Sequence, residues 1–380
     1  MALITYLTKI QFEAGARALL KDELDALGCK APLIVADKGI VAAGLVAEVL
    51  KAGGLSADTP VYDGTPENPT EAAVHEALDL YRAHDCDGIV GLGGGSPLDL
   101  AKAVSLMATH DGALADYAVI LGGLGRIRKD KPPVVAIPTT AGTGSEVGRA
   151  ALLTLEDGRK LGFISPYMIP DVAICDPELT VGLPPMLTAA TGMDALTHCI
   201  ETYLSPRYNP PAEAIALDGL HRVARNIREA TRNGSDMDAR TEMMMGALQG
   251  GMTFQKGLGA VHSLSHPLGA LKHLRLHHGT LNAVLLPAVL AFNAEGASDA
   301  AAAKYVALAG ILGAARPADL PATIEALNRD LGMPSNLTEM GVPADVFDGV
   351  ADNAVLDHST ATNARPIEKA DFVAILNAAL

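Results

Sequence analysis

The sequence predicts two domains: an α/β domain with a parallel sheet over residues 1–184 and an all-helical domain over residues 185–380. In the first part, short apolar runs alternate with helical patterns, which is typical of a parallel sheet covered by helices. In the second part, Ala and Leu recur at helical spacing and β-branched runs are few. Pro184 and Pro185 mark the change, because proline continues neither a helix nor a strand.

The elements of the first part follow one another in a regular order. Predicted strands lie at 32–37, 61–63, 87–92, 133–138 and 171–176; predicted helices lie at 39–51, at 70–84 and from the strand at 87–92 to Thr109; a hairpin is predicted at 152–164. In the second part, the apolar run 281–292 contains Asn282 and Pro287, which predicts a buried helix rather than a membrane span. A chain of 380 residues is long enough to form two cores.

Composition and charge narrow the classes of partner. The net charge of −15 argues against binding to nucleic acid and against an anionic membrane surface. The first ten residues are too polar for a secretory signal and lack its basic start. The four cysteines show no paired motif, which predicts reduced thiols. We therefore expect a cytoplasmic protein that acts on a small molecule.

A glycine-rich segment follows the predicted strand at 87–92 and opens a predicted helix. Glycines let the backbone approach a phosphate closely, and a helix N-terminus offers N–H groups and the positive end of the helix dipole. We therefore predict a nucleotide site that includes Gly93, Gly94, Gly95, Ser96 and Asp99. The alternative is a plain turn between a strand and a helix.

A second loop strengthens the nucleotide prediction. It carries the hydroxyl side chains of Thr139, Thr140, Thr143 and Ser145, which can bind a pyrophosphate or a ribose. Two such loops at the carboxyl ends of parallel strands suit a nucleotide bound to an open sheet.

An acidic residue closes the first predicted strand. A carboxylate at Asp37 would accept hydrogen bonds from both ribose hydroxyls and repel a 2′-phosphate, which favours NAD over NADP. In the usual fingerprint the glycines precede the acid, whereas Asp37 precedes the glycines here. The ordinary Rossmann pattern therefore fails in detail, although a dinucleotide site remains the prediction. A solvated acid at the end of a strand is the alternative.

Histidines and an aspartate in the second part have the spacing of one metal site. Asp194 and His198 are four residues apart, as are His262 and His266, so each pair lies on one face of a helix. The pair His277-His278 supplies a further imidazole. Three imidazoles and one carboxylate suit Fe²⁺, Zn²⁺, Co²⁺ or Mn²⁺, and no thiolate selects one of these metals.

Together these motifs resemble the iron-containing (group III) alcohol dehydrogenase family. The matching motifs, in the order of the family, are Gly93-Gly94-Gly95-Ser96, Pro138-Thr139-Thr140-Ala141-Gly142-Thr143-Gly144-Ser145-Glu146, Asp176-Pro177, Thr191-Gly192-Met193-Asp194-Ala195-Leu196-Thr197-His198-Cys199-Ile200-Glu201 and His266-Pro267-Leu268-Gly269. The resemblance implies an N-terminal α/β dinucleotide-binding domain and a C-terminal helical domain. This is the dehydroquinate synthase-like architecture of iron alcohol dehydrogenases.

The resemblance also assigns roles to single residues. It implies that the metal ligands are Asp194, His198, His262 and His278, with His278 preferred over His277 because the last ligand of the family directly precedes a glycine. His266 matches a histidine that lies close to the metal, is usually not a ligand and takes part in a proton relay. Lys160 matches a lysine near the nicotinamide ribose, and Leu179 to Leu183 match part of the adenine pocket.

The implied reaction is reversible hydride transfer between a small alcohol and NAD, with the metal acting as a Lewis acid. Iron is favoured over zinc, and a homodimer or larger homo-oligomer is expected. The segment Lys272-His273-Leu274-Arg275 makes one loop longer than in well-known members, and Gly148-Arg149 replaces a more usual pair. Arg149, Lys272 and Arg275 would suit a carboxylated substrate such as a 4-hydroxy acid; solvated surface cations are the alternative.

Three other functions remain open. A maleylacetate reductase-like enzyme belongs to a related group that generally lacks the complete metal set. A non-redox NAD- and metal-dependent lyase of the dehydroquinate synthase type would need more cationic phosphate-binding residues than the helical part contains. A nucleotide-binding regulator would show no metal-dependent turnover.

Overall fold

The computed structural model describes residues 4, 6, 8–271, 274–295 and 297–380. The chain divides into two compact units, residues 6–182 and residues 183–380. The division falls next to Pro184. The predicted fold class is confirmed, because the first unit contains a parallel sheet and the second contains helices and no strand among its described residues.

The first unit is built on a six-stranded sheet in which all adjacent strands are parallel. Its order is β1-β8-β5-β4-β2-β3, and a separate antiparallel hairpin is formed by β6 and β7. The strands are β1 Lys9–Phe12, β2 Pro32–Val35, β3 Val61–Tyr62, β4 Gly88–Gly93, β5 Val134–Pro138, β6 Ala150–Thr154, β7 Lys160–Ile164 and β8 Val172–Cys175. The central strands β2, β4, β5 and β8 are buried along their whole length, which explains their continuous apolar runs.

Helices cover both faces of this sheet, and two apolar clusters form the core. The helices are α1 Leu20–Ala26, α2 Lys38–Ala42, α3 Leu45–Ala52, α4 Glu71–Ala83 and α5 Gly95–Thr109. Side-chain caps define two of the starts, since Asp37 accepts a hydrogen bond from Ile40 N and Thr70 accepts one from Ala73 N.

Two details of this unit differ from the sequence prediction. The single helix predicted at 39–51 is wrong, because Gly44 adopts a φ of 78° and separates α2 from α3. The edge strand β1 was not predicted. It alternates polar Lys9 and Gln11 with apolar residues and is only half buried, so it lacks the apolar run that marks the central strands.

The regular secondary structure in the described residues of the second unit consists of helices joined by loops. Its helices are α6 Pro185–Leu204, α7 Pro210–Arg232, α8 Met237–Met252, α9 Ala260–Gly269, α10 His278–Ala294, α11 Asp299–Leu312, α12 Leu320–Asp330, α13 Phe347–Leu356 and α14 Lys369–Ala378. Helix α10 packs against both α6 and α9, which brings together the helices that carry His198, His262 and His278. The predicted buried helix at 281–292 lies within α10. No helix in the described part of the chain is long and apolar enough to cross a membrane.

Candidate metal centre and nucleotide loops

Three histidines of the helical unit surround the carboxylate of Asp194. Asp194 and His198 lie one turn apart on α6, His262 lies on α9, and His278 is the first residue of α10 rather than part of a loop. The Nε2 atoms of His198, His262 and His278 lie 3.4, 3.6 and 3.6 Å from Asp194 Oδ1. The ligand atoms of Asp194, His262 and His278 all lie within 4.8 Å of one another, which suits one divalent cation, and His198 adjoins this group through Asp194.

Charge at this cluster also suits a cation. Burial would raise the pKa of the Asp194 carboxyl, but the histidines around it hold that pKa far below its ordinary range. Burial would lower the pKa of His262, but hydrogen bonds to Asp194 and Glu201 raise it to about 9. A buried carboxylate surrounded by imidazoles requires a positive charge, which a proton or a metal ion can supply. The donor set therefore fits a divalent metal.

Glu201 orients one of the four donors. His262 Nδ1 donates to Glu201 Oε2 at 2.6 Å, and Val261 N donates to Glu201 Oε1 at 2.7 Å. With Nδ1 held in this way, His262 directs Nε2 toward Asp194. A role for Glu201 was not predicted from the sequence. Its position on α6, seven residues after Asp194 and on the same helix face, was the signal that could have revealed one.

His266 lies beside the four donors and has a different partner. Its Nδ1 donates to Asp357 Oδ2 at 2.8 Å, and its ring stacks on that of His278 at 5.5 Å. The ring of His358 also stacks on the ring of His266, with the two ring centroids 5.7 Å apart. Burial would raise the pKa of Asp357, but His266 and His358 hold it well below its ordinary range. Asp357 and His358 were not predicted, because 91 residues separate Asp357 from His266.

The described cationic residues among the predicted ones belong to different units, Arg149 to the α/β unit and Arg275 to the helical unit. Arg149 directly precedes β6 in the α/β unit, and its carbonyl accepts a hydrogen bond from Ser165 N at 3.0 Å. Arg275 is exposed in the segment before α10, and His277 is the N-cap residue of that helix. Lys272 and His273 lie outside the described residues.

The nucleotide motifs of the α/β unit lie where the strand order reverses. From β2 the chain proceeds outward to β3, whereas β4 pairs with the other side of β2 and continues toward β5 and β8. Ligands of open parallel sheets bind at such a switch point, outside the carboxyl ends of the strands. Asp37 follows β2 and the glycine loop follows β4, so the two motifs meet at this edge despite their reversed order in sequence.

The two loops pack closely on each other. Thr139 N donates to Gly93 O at 2.9 Å. A Cβ at Gly95 would lie 2.9 Å from Thr143 Cγ2, and one at Gly93, whose φ is 147°, would lie 2.7 Å from Pro97. A larger residue at position 95 would therefore press on the second loop, and one at position 93 would press on the first turn of α5. The buried Thr139 Oγ1 has no hydrogen-bond partner among the described residues, so this cradle offers an unused polar atom to a phosphate or ribose.

A buried network supports the second loop. Ser145 Oγ donates to Asp99 Oδ1 at 2.6 Å, and Leu152 N donates to Asp99 Oδ2 at 2.9 Å. Lys102 Nζ donates to Ser145 Oγ at 2.7 Å and to Ala150 O at 2.8 Å. Asp99 and Ser145, predicted to bind the cofactor, are thus bonded to each other and to the protein. Lys102 was not predicted, although it is fully buried on α5.

The remaining predicted cofactor residues are spread over the α/β unit, with one exception. Ser96 Oγ donates to Glu67 O at 2.5 Å, and Lys160 Nζ donates to Asn68 Oδ1 at 2.9 Å. The methyl group of Thr140 faces Gly94. Leu179 is buried in the apolar core. The exception is Leu183, which begins the helical unit and whose carbonyl accepts a hydrogen bond from Thr188 Oγ1.

Comparisons with known proteins agree over nearly the whole chain. The family described as iron-containing alcohol dehydrogenase matches residues 8–177, and the C-terminal family of Fe-containing alcohol dehydrogenases matches residues 188–380. A 4-hydroxybutyrate dehydrogenase of Cupriavidus necator is 51% identical over 376 residues, which cover 98% of each chain.

Solved structures give the same picture. A 1,3-propanediol oxidoreductase superposes with a TM-score of 0.91 at 36% identity and 100% coverage of both chains. A sulfoacetaldehyde reductase from Bifidobacterium kashiwanohense, in complex with NAD⁺, superposes with a TM-score of 0.86 at 26% identity. That match covers 100% of this chain and 98% of the other.

Proposed function

This chain belongs to the iron-containing alcohol dehydrogenase family, and we propose that within it the protein oxidises a 4-hydroxy acid such as 4-hydroxybutyrate, reversibly, to the corresponding aldehyde acid. The protein is an NAD-linked oxidoreductase that acts on CH–OH groups. The observation that carries the substrate class is the 51% identity to a 4-hydroxybutyrate dehydrogenase over 98% of both chains.

Asp194, His198, His262 and His278 are proposed to hold the divalent metal. When bound there, a divalent cation acts as a Lewis acid that stabilises negative charge on the substrate oxygen. Three imidazoles and one carboxylate would suit several divalent metals, and the family favours Fe²⁺, with Zn²⁺ as the second candidate.

His266 is proposed to receive the alcohol proton. Because Nδ1 donates to the buried Asp357 carboxylate, the neutral ring keeps Nε2 as its proton acceptor. Asp357 fixes this tautomer and stabilises the imidazolium that forms.

The switch point of the sheet is proposed to bind NAD, which carries the hydride. Gly93, Gly94 and Gly95 would receive the pyrophosphate at the N-terminus of α5, where backbone N–H groups are available. Asp37 Oδ1 caps α2, and we propose that the same carboxylate receives the ribose hydroxyls. The hydroxyls of Ser96, Thr139, Thr140 and Thr143, and the ammonium of Lys160, are proposed to line the same site. Asp99 and Ser145 would act on it through the second loop.

Arg275 is the described residue of the helical unit that we propose for the substrate carboxylate, whereas roles for Lys272 and Arg149 stay predictions from the sequence. The test compares 4-hydroxybutyrate with 1-butanol, which lacks the carboxylate, by NADH formation. We expect kcat/KM to favour the hydroxy acid by at least about tenfold, and Arg275→Ala to reduce that preference. Equal kcat/KM values for both alcohols would contradict the substrate class and leave the dehydrogenase activity intact.

The complete donor set disfavours a maleylacetate reductase-like function, and reduction of maleylacetate by the chelated protein would favour it instead. The cytoplasmic location and the homodimer or larger assembly remain predictions.

A further inference from the structure

We propose that Asn282 is a positioning residue of the metal centre, which orients the Asp194 carboxylate and closes one face of the donor set. This inference rests on the metal assignment proposed above. Asn282 lies on α10 one turn after His278 and is fully buried. Its side-chain amide therefore faces the same interior point as the neighbouring histidine.

The contacts of the amide nitrogen point to this role. Asn282 Nδ2 donates to Asp194 Oδ1 at 2.7 Å, the shortest of its three contacts. The same nitrogen lies 3.3 Å from His262 Nε2 and 3.2 Å from His278 Nε2. An atom that lies within 3.3 Å of three donor atoms covers the triangle that they form. Substrate and solvent must therefore reach the centre from another side.

The hydrogen bond from Asn282 Nδ2 bears on the orientation of the Asp194 carboxylate. A carboxylate among three imidazoles can rotate toward any of them, whereas a hydrogen bond from a fixed amide selects one orientation before metal arrives. The buried Asn282 Oδ1 has no hydrogen-bond partner among the described residues. The polar contacts of this side chain are therefore made by its NH₂ group, which is the group that the proposal concerns.

Two isosteric variants separate donation from other roles. N282L keeps the shape and removes the donor, whereas N282D keeps an oxygen but places a second carboxylate against Asp194. The control is N293L on the same helix, because Asn293 is also buried and exchanges hydrogen bonds with Asn363, away from the donors. Circular dichroism and the melting temperature report whether each full-length variant folds.

The readout is Co²⁺ affinity, measured by competition with a chromophoric chelator, together with the visible spectrum of the Co²⁺-loaded protein. We expect N282L and N282D to weaken Co²⁺ binding about 10- to 100-fold and N293L to leave it within about threefold of wild type. Wild-type affinity in N282L would overturn the proposal. Tighter binding by N282D with an altered Co²⁺ spectrum would also overturn it, because the side chain would then act as an oxygen ligand. Absence of Co²⁺ binding by the wild type would instead reject the metal assignment itself.

Discussion

The two candidate sites of this protein are built by different means. The metal centre of the helical unit consists of side chains, because Asp194, His198, His262 and His278 project from three helices and meet through their donor atoms. The nucleotide site of the α/β unit consists mainly of backbone, because its glycines permit two loops to pack closely. Several of its side chains, such as Asp99 and Ser145, bond to each other. Substitutions should therefore act by lost ligands in one unit and by displaced loops in the other.

The largest effect is expected from His262→Ala. The substitution removes one metal donor and also the imidazole that is hydrogen-bonded to Glu201. We expect it to abolish tight metal binding and to lower kcat by more than about a thousandfold while the fold remains intact. Metal content after dialysis and NADH formation measure both outcomes. His221→Ala, at an exposed position on α7, serves as the control. If His262→Ala retains metal and turnover, the donor assignment is wrong.

A smaller loss is expected from Asp357→Asn. The amide can no longer stabilise the His266 imidazolium, and it can select the wrong tautomer, so kcat should fall about 10- to 100-fold with metal content unchanged. The pH dependence of kcat should shift as well. A fall in metal content equal to the fall in kcat would show that Asp357 belongs to the metal centre instead.

The backbone character of the nucleotide site predicts a steric effect for Gly95→Ala. The new Cβ would lie 2.9 Å from Thr143 Cγ2, so the loops must separate, and we expect the KM for NAD to rise about tenfold at unchanged metal affinity. Thr143→Ser removes that methyl group and should restore the KM in the double variant. Gly125→Ala, which meets no atom within 4 Å, is the matched control. An unaltered KM in Gly95→Ala would remove the steric argument.

The smallest effect concerns pH and stability of the α/β unit. Burial raises the pKa of Glu146 to about 7 from the ordinary glutamate value of 4.5. Because the folded state favours the protonated carboxyl of Glu146, its contribution to the free energy of unfolding is complete below the pKa in the unfolded chain. That contribution is lost as the pH rises through about 7. We expect the melting temperature to decline over this window in the wild type and to decline less in Glu146→Gln. Parallel profiles for the two proteins would show that Glu146 does not titrate in this way.

The same contrast explains how much could be predicted from sequence. Spacing of four residues on a helix predicts that Asp194 and His198 share a face, and the structure places them one turn apart. Local spacing places Asn282 one turn after His278, but helix packing alone brings Asn282 to Asp194 and Asp357 to His266. In the α/β unit, the glycine loop was recognisable, but its proximity to Asp37 depends on the pairing of β2 with β4, which the order of motifs disguises.

Two further features of the α/β unit, the break at Gly44 and the strand β1, could not be predicted from the patterns in the sequence. The break at Gly44 requires a positive φ that an apolar pattern does not register. The edge strand β1 is polar along one face, and its strand conformation depends on pairing with β8.

The role of the metal centre in catalysis is tested most directly by titrating chelated protein with Fe²⁺ under anaerobic conditions. Oxidation of 4-hydroxybutyrate is measured at each step as the formation of NADH. If the metal centre is the origin of catalysis, we expect no turnover without metal, a linear rise in activity that ends at one Fe²⁺ per chain, and no restoration in His262→Ala. Full turnover by the chelated wild-type protein would contradict the metal centre as the origin of catalysis.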